Sequence, residues 1–161
     1  MSCMYLDALS FLEDERETWR PFEALADLTD EQLSVRVDAA HGWSGRDLMA
    51  HLLSGLEVSL AVARELAVNE TSPTLTAWNA RWDADPDGVN AEQLERYGAL
   101  SLDELRDRFR SVPGELRGYL TVVPESRWIK HPTHQESFIG ETLDHYEEHA
   151  SDLRAILEAA R

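Results

Sequence analysis

At 161 residues and a formal net charge of −16, the chain has the length of one ordinary domain and repels polyanions. Its 43% hydrophobic content suits a packed core, not a disordered or lipid-facing chain. There is no Lys/Arg run, no bilayer-length apolar run, no signal-peptide pattern at the start, and the one cysteine, Cys3, allows no internal disulfide. Nucleic acid and anionic membrane surfaces are therefore excluded as partners. One domain over residues 1–161, in the cytoplasm, is the expectation.

Apolar residues at helical spacing predict a first helix from Met4 to Leu28, carrying Leu6, Leu9, Phe11, Leu12, Trp19, Phe22 and Leu25. Pro21 predicts a kink or break near Arg20. Thr29 and Gln32 form a capping-box pattern for one or two turns ending near Ser34, and a polar loop with His41 follows to Gly42. Ser44 and Asp47 specify the next helix start, with Trp43 and Leu48 placed to close a hydrophobic staple. This helix runs to about Asn69. Its apolar arc holds Leu48, Leu52, Leu56, Ala63 and Leu66, while Arg46, Glu57 and Arg64 are expected in water. His51 flanks the arc, and Gly55 one turn on is expected to leave open space beside the imidazole.

Residues 71–90, with Pro73, Trp78, Trp82, Pro86 and Gly88, read as a loop holding one short helix around Leu75 to Trp82. A short helix over Ala91 to Gly98 follows. Ser101 and Glu104 cap a helix reaching about Thr121, with a bend at Pro113. Val123 to Ser137 reads as a loop containing His131 and His134. The last helix, Phe138 to Ala160, buries Ile139, Leu143, Tyr146, Ala150, Leu153 and Leu157, and turns Asp144, Glu147, Glu148, Ser151 and Glu158 outward. No stretch alternates with a period of two, so no sheet is expected. The fold class is all-α: an antiparallel four-helix bundle with short extra helices in its connections.

His145 and His149 stand one turn apart on the flank of that last stripe, where two imidazoles can share one transition-metal ion. Each histidine alone is more simply a bundle side chain; the pair plus a third helical histidine points to metal. His51 supplies the third, on a core-flank sector beside a glycine. Three neutral imidazoles with an open fourth position form a catalytic-type site for zinc, nickel or a similar divalent ion. A di-iron site would need Glu-x-x-His pairs, and the chain has none. His145 to His149 matches His-x-x-Glu-His, the inverted zinc-protease pattern with Glu148 as base, but those peptidases need strands. His131 and His134 can reach a site only from their loop, and Cys3 has no local support as a nucleophile.

The run Trp43-Ser44-x-x-Asp47-x-x-Ala50-His51, followed far downstream by His145-x-x-x-His149, resembles the DinB/YfiT-like superfamily of metal-binding four-helix bundles. Val89-Asn90-Ala91, Glu95-Arg96-Tyr97 and Leu100 to Leu105 resemble its ClbS/DfsB branch. The first run and the last-helix pattern are also similar to the N-terminal domain of mycothiol-dependent maleylpyruvate isomerase. The resemblance spans Leu6 to Leu157. It implies His51, His145 and His149 at the three ligand positions; the isomerase branch has a carboxylate in the middle one, so His145 implies the all-histidine type. It further implies a divalent transition metal, zinc or nickel, and a low-molecular-weight thiol: mycothiol, bacillithiol or glutathione.

The expected function is a metal-dependent thiol S-transferase, isomerase or small-molecule hydrolase in detoxification or stress response, with the ion as Lewis acid toward a thiol or water. The contrasting reading is a ligand-sequestering stress protein with a structural metal and a fourth protein ligand from His131 or His134. No residue is assigned as general base: Tyr146 belongs to the core, and Asp47, one turn before His51, is better explained by its cap than as an imidazole's orienter. The composition offers no positive spot for an anionic thiol beyond the metal. Met49, Leu53 and Leu60 widen the apolar arc of the His51 helix beyond one core seam, which predicts a homodimer through outer helix faces.

Overall fold

A computed structural model describes residues 4–161. Cys3 lies outside them. The Asp7 carboxylate accepts the Ser10 amide and opens α1 (Ala8–Trp19). Pro21 then has its predicted effect: the α-helix stops at Trp19 and the chain tightens into a 3₁₀ stretch, Arg20–Asp27. Thr29 and Gln32 satisfy each other's amides at the start of α2 (Asp30–Leu33). A tight loop follows, with a 3₁₀ turn at Asp38–Ala40, His41 at φ 59° and Gly42 at φ 78°. A lone antiparallel bridge between Val37 and Trp43 closes it.

Ser44 and Asp47 form the reciprocal box read from the sequence, and α3 runs Gly45–Val68. The short helix expected around Leu75 to Trp82 is present and longer, as α4 (Pro73–Ala84), while two stretches read as loops are helical: the first half of α5 (Pro86–Gly98) and most of α7 (Pro132–Ile139). In each, proline occupies the first turn, where its missing N–H has no partner to lose, behind a side-chain cap from Ser72, Asp85 or His131. Between α5 and α7, α6 (Leu102–Val122) starts at Ser101, which accepts the Glu104 amide, and carries Pro113 inside. From α7 the chain passes through a π-helical turn, Gly140–Asp144, into α8 (His145–Ala159). Among the described residues every regular element is helical, with no strand, and no helix is long and apolar enough to cross a membrane.

One cluster of buried apolar side chains extends from Phe11 to Ile156. Trp19 joins several elements within it, packing on Phe22, Phe109 and Tyr146 at centroid distances of 5.6, 4.9 and 5.0 Å. A buried polar pin crosses the same region. Glu15 of α1 receives a forked ion pair from Arg117 of α6 and the Tyr146 hydroxyl of α8, at 3.1 Å. A buried carboxylate without such partners would cost several kcal/mol (about 3–5). Tyr146 is thus core, as expected, with its hydroxyl tied to Glu15.

The predicted arc of α3 is buried. So are Met49, Leu53 and Leu60, which therefore offer no surface to a second copy. Two residues expected in water are engaged: Glu57 accepts the Tyr97 hydroxyl (2.6 Å) and pairs with Arg108 of α6, and Arg46 donates to the Leu100 carbonyl (2.6 Å). These bonds fix α5 and α6 along α3 and so set one wall of the site.

Candidate metal centre

His51 comes from the second turn of α3, His145 from the first residue after the π-turn, and His149 from one turn further along α8. The packing of α3 against this last helix brings them together. One ligand nitrogen from each lies within 4.8 Å of the others. The Nε2 atoms of His51 and His145 approach to 2.8 Å, and the three rings stand edge-on to one another with centroids 4.6 to 5.0 Å apart. All three predicted residues meet in space.

Gly55 makes the approach possible. A Cβ there would sit 2.6 Å from Glu141 Oε2 and 3.3 Å from His145 Nδ1. The space expected to be open is thus filled by the π-turn of the facing helix. His145 Nδ1 is buried and meets no partner at hydrogen-bond geometry. The nearby Glu141 carbonyl nevertheless favours its charged form.

Burial, above all, pushes His51 down to about 4, with His149 adding to the effect and Asp152 opposing it. Burial likewise pushes His145 down to about 3, followed by the neighbouring His51 and His149. At neutral pH both rings are uncharged, the form that ligates metal. His149 is oriented by Asp152, three residues on: Asp152 Oδ2 lies 2.9 Å from His149 Nδ1, and the carboxylate is only 2% exposed. A carboxylate accepts, so His149 donates from Nδ1, which leaves Nε2 as the atom turned to the other two rings' site. Asp47 caps α3 and orients no imidazole. Three imidazoles, one braced by a carboxylate, could hold a metal ion, and the residues present fit a divalent one.

The histidines line a cavity of about 790 Å³, within the usual range for small-molecule sites. Trp43, Trp78, Trp82 and Tyr97 border it, together with Arg36 and Arg46. The two arginines bring positive charge that the sequence reading did not place there, on a lining that also holds Asp47, Glu141 and Glu148. Neither makes an ion pair among the described residues; each is tethered to a main-chain carbonyl, Gly42 and Leu100 respectively. Trp43, read from the sequence as half of a staple, stacks its ring on His149 (5.5 Å, 20°) and meets His51 edge-on (5.0 Å). Trp78 and Trp82, half-buried on α4, form a T-shaped pair at 5.8 Å. Trp78 also hydrogen-bonds Glu141, whose carboxyl burial raises above its ordinary range against that bond.

His131 and His134 stay apart from the cluster. They stack on each other at 3.7 Å where α7 begins, with His134 Nδ1–H donating to the Arg127 carbonyl (2.6 Å). Sequence reasoning missed Asp152, His41 and Glu141. Asp152 had a signal, since i, i+3 from His149 puts both on one helix face. His41 and Glu141 had none, because a loop turn and a π-turn bring them in.

The family model described as mycothiol maleylpyruvate isomerase N-terminal domain matches residues 13–156, a span that contains all three histidines. No curated protein and no solved structure matches the chain.

Proposed function

The chain belongs to the mycothiol maleylpyruvate isomerase N-terminal domain family, a DinB-like family, and on that premise we propose that it is a metal-dependent enzyme. Its reaction would be thiol transfer, thiol-assisted isomerisation or hydrolysis of a reactive small molecule, in detoxification or stress response. The fold reading that accompanies this is an antiparallel four-helix bundle of α1, α3, α6 and α8, with the remaining helices as connections. The observation that carries the proposal is the convergence of three imidazoles on the wall of a cavity large enough for a small substrate.

His51, His145 and His149 would hold a divalent ion, zinc or nickel, which supplies Lewis acidity toward a thiol or water. Asp152 keeps His149 in the tautomer that offers Nε2. Trp43 covers the face of the same ring and restricts water there. Arg36 and Arg46 stand on a lining that also holds Asp47, Glu141 and Glu148, and their guanidiniums would meet a carboxylate of a thiol such as bacillithiol or glutathione. The sequestering alternative asks for a fourth protein ligand, and the two candidate histidines are occupied with each other and with Arg127.

Metal analysis of the purified protein, followed by a screen of thiols against electrophiles, tests the proposal. About one divalent ion per chain and thiol- or water-dependent turnover that vanishes in His51→Ala is expected. Turnover that persists with His51→Ala after chelation would overturn it.

A further inference from the structure

The loop between α2 and α3 delivers two side chains to His149. Trp43 stacks on the ring itself. His41 works one step further out: its Nδ1 lies 2.9 Å from Asp152 Oδ1, while the other oxygen of that carboxylate takes His149 Nδ1 at the same distance. Asp152 therefore uses one oxygen on each of two imidazoles, and being an acceptor only, it requires a donated Nδ1–H from both. Asp152 is otherwise buried, whereas the His41 side chain is 79% exposed.

The backbone at His41 is an uncommon one, although histidine is among the non-glycine residues that adopt it more often. Its φ of 59° is a left-handed conformation that non-glycine side chains seldom adopt. The loop nonetheless holds it there, through hydrogen bonds from the Ala40 and Gly42 amides to the Val37 carbonyl and from the Trp43 amide to the Ala40 carbonyl. Little apolar contact rewards an exposed imidazole in that position. Its hydrogen bond to a buried carboxylate is the interaction that the turn secures.

We propose that His41 is a positioning residue for the three-histidine centre, acting through Asp152, so that the Val37–Trp43 loop braces His149 from outside the helical core. The inference rests on the metal reading above. It assigns no ligand role to His41. Without the His41 donor, one Asp152 oxygen loses its partner, the carboxylate is free to turn, and His149 is less firmly held for ligation.

Two substitutions separate the hydrogen bond from the backbone. His41→Gly suits the left-handed turn and removes the donor. His41→Asn also tolerates that turn and places an amide N–H close to where Nδ1–H stood. Cobalt(II) titration followed by its visible absorption reads affinity and ligand geometry together. His41→Gly is expected to weaken cobalt binding about 10-fold or more and to shift the absorption bands, with His41→Asn within about threefold of wild type. A His41→Gly protein with wild-type affinity and spectrum overturns the proposal, as does an asparagine variant that loses as much as glycine. Wild-type protein that takes up no cobalt overturns the metal reading and this inference with it. Should the glycine variant misfold, imidazole ¹⁵N–¹H spectra of metal-free wild type decide: a His41 ring lacking a proton on Nδ1 overturns the proposal, and an Nδ1–H that shifts when metal is added supports it.

Discussion

Gly55 shows how one missing side chain couples two helices. Alanine there would gain up to about 1 kcal/mol of helix propensity, but its Cβ would displace the Glu141 carboxyl and press on His145. The carboxyl is the far end of a flexible chain and can swing away, whereas the imidazole is fixed by its neighbours. Gly55→Ala is therefore expected to unfold within about 1 kcal/mol of wild type and to bind metal more weakly; unchanged affinity in a calorimetric titration would refute the role given to this glycine. The ligands themselves give a blunter test. Alanine at His51, His145 or His149 should each abolish stoichiometric metal by elemental analysis, and retention in any one removes that residue from the set. These three were legible in the sequence because helical spacing places them on core flanks. Glu141 was not: it reaches the site through a π-turn, and no residue pattern announces the extra residue per turn.

Among the helices, start signals made of side-chain hydrogen bonds were readable and those made of proline were misread. Thr29 and Ser44 cap as their spacing predicts. Pro73, Pro86 and Pro132 look like interruptions in a linear scan, yet each follows a residue that caps and sits where a helix needs no N–H. Pro21 and Pro113 show the other outcomes, a change to 3₁₀ in one case and tolerance inside a helix in the other. These helices matter for function: α4 and α5 bring Trp78, Trp82 and Tyr97 to the cavity wall, all three on stretches whose helicity the sequence does show. The cap of α3 matters for the same reason, because it starts the helix that carries His51. Ser44→Ala leaves the Asp47 amide without its acceptor. It should cost about 1 kcal/mol and lower the melting temperature by roughly 2–4 °C, as differential scanning calorimetry would record; no change would mean the cap is dispensable.

For the molecule as a whole, the question is what the histidine cluster costs the fold when no ion is bound. The buried core is continuous from Phe11 to Ile156 and does not pass through the cluster, so the protein with both His145→Ala and His149→Ala should keep its helical circular dichroism. It should lose the stabilisation that bound metal adds and the hydrogen bond from His149 to the buried Asp152 carboxylate, and no more. Loss of helicity would instead make the metal structural. Acid adds a second and opposite test. His51 and His145 are neutral in the folded protein, held down to about 4 and about 3, against an ordinary value of 6.5 in the unfolded chain. Below pH 6.5 the unfolded chain takes up protons that the folded cluster refuses, so stability present above 6.5 is lost as pH falls toward 4. The slope is about 1.4 kcal/mol per pH unit for each histidine. Urea unfolding in chelator at pH 7, 6 and 5 should therefore show a steeper decline for wild type than for His51→Gln/His145→Gln. Carboxylates elsewhere titrate alike in both proteins and cancel in the difference. The double variant should thus lose its disadvantage, or overtake wild type, as pH falls. Parallel curves would mean that the two imidazoles are as free to protonate in the folded protein as in water, and that the cluster is not the closed, neutral set of ligands its geometry describes.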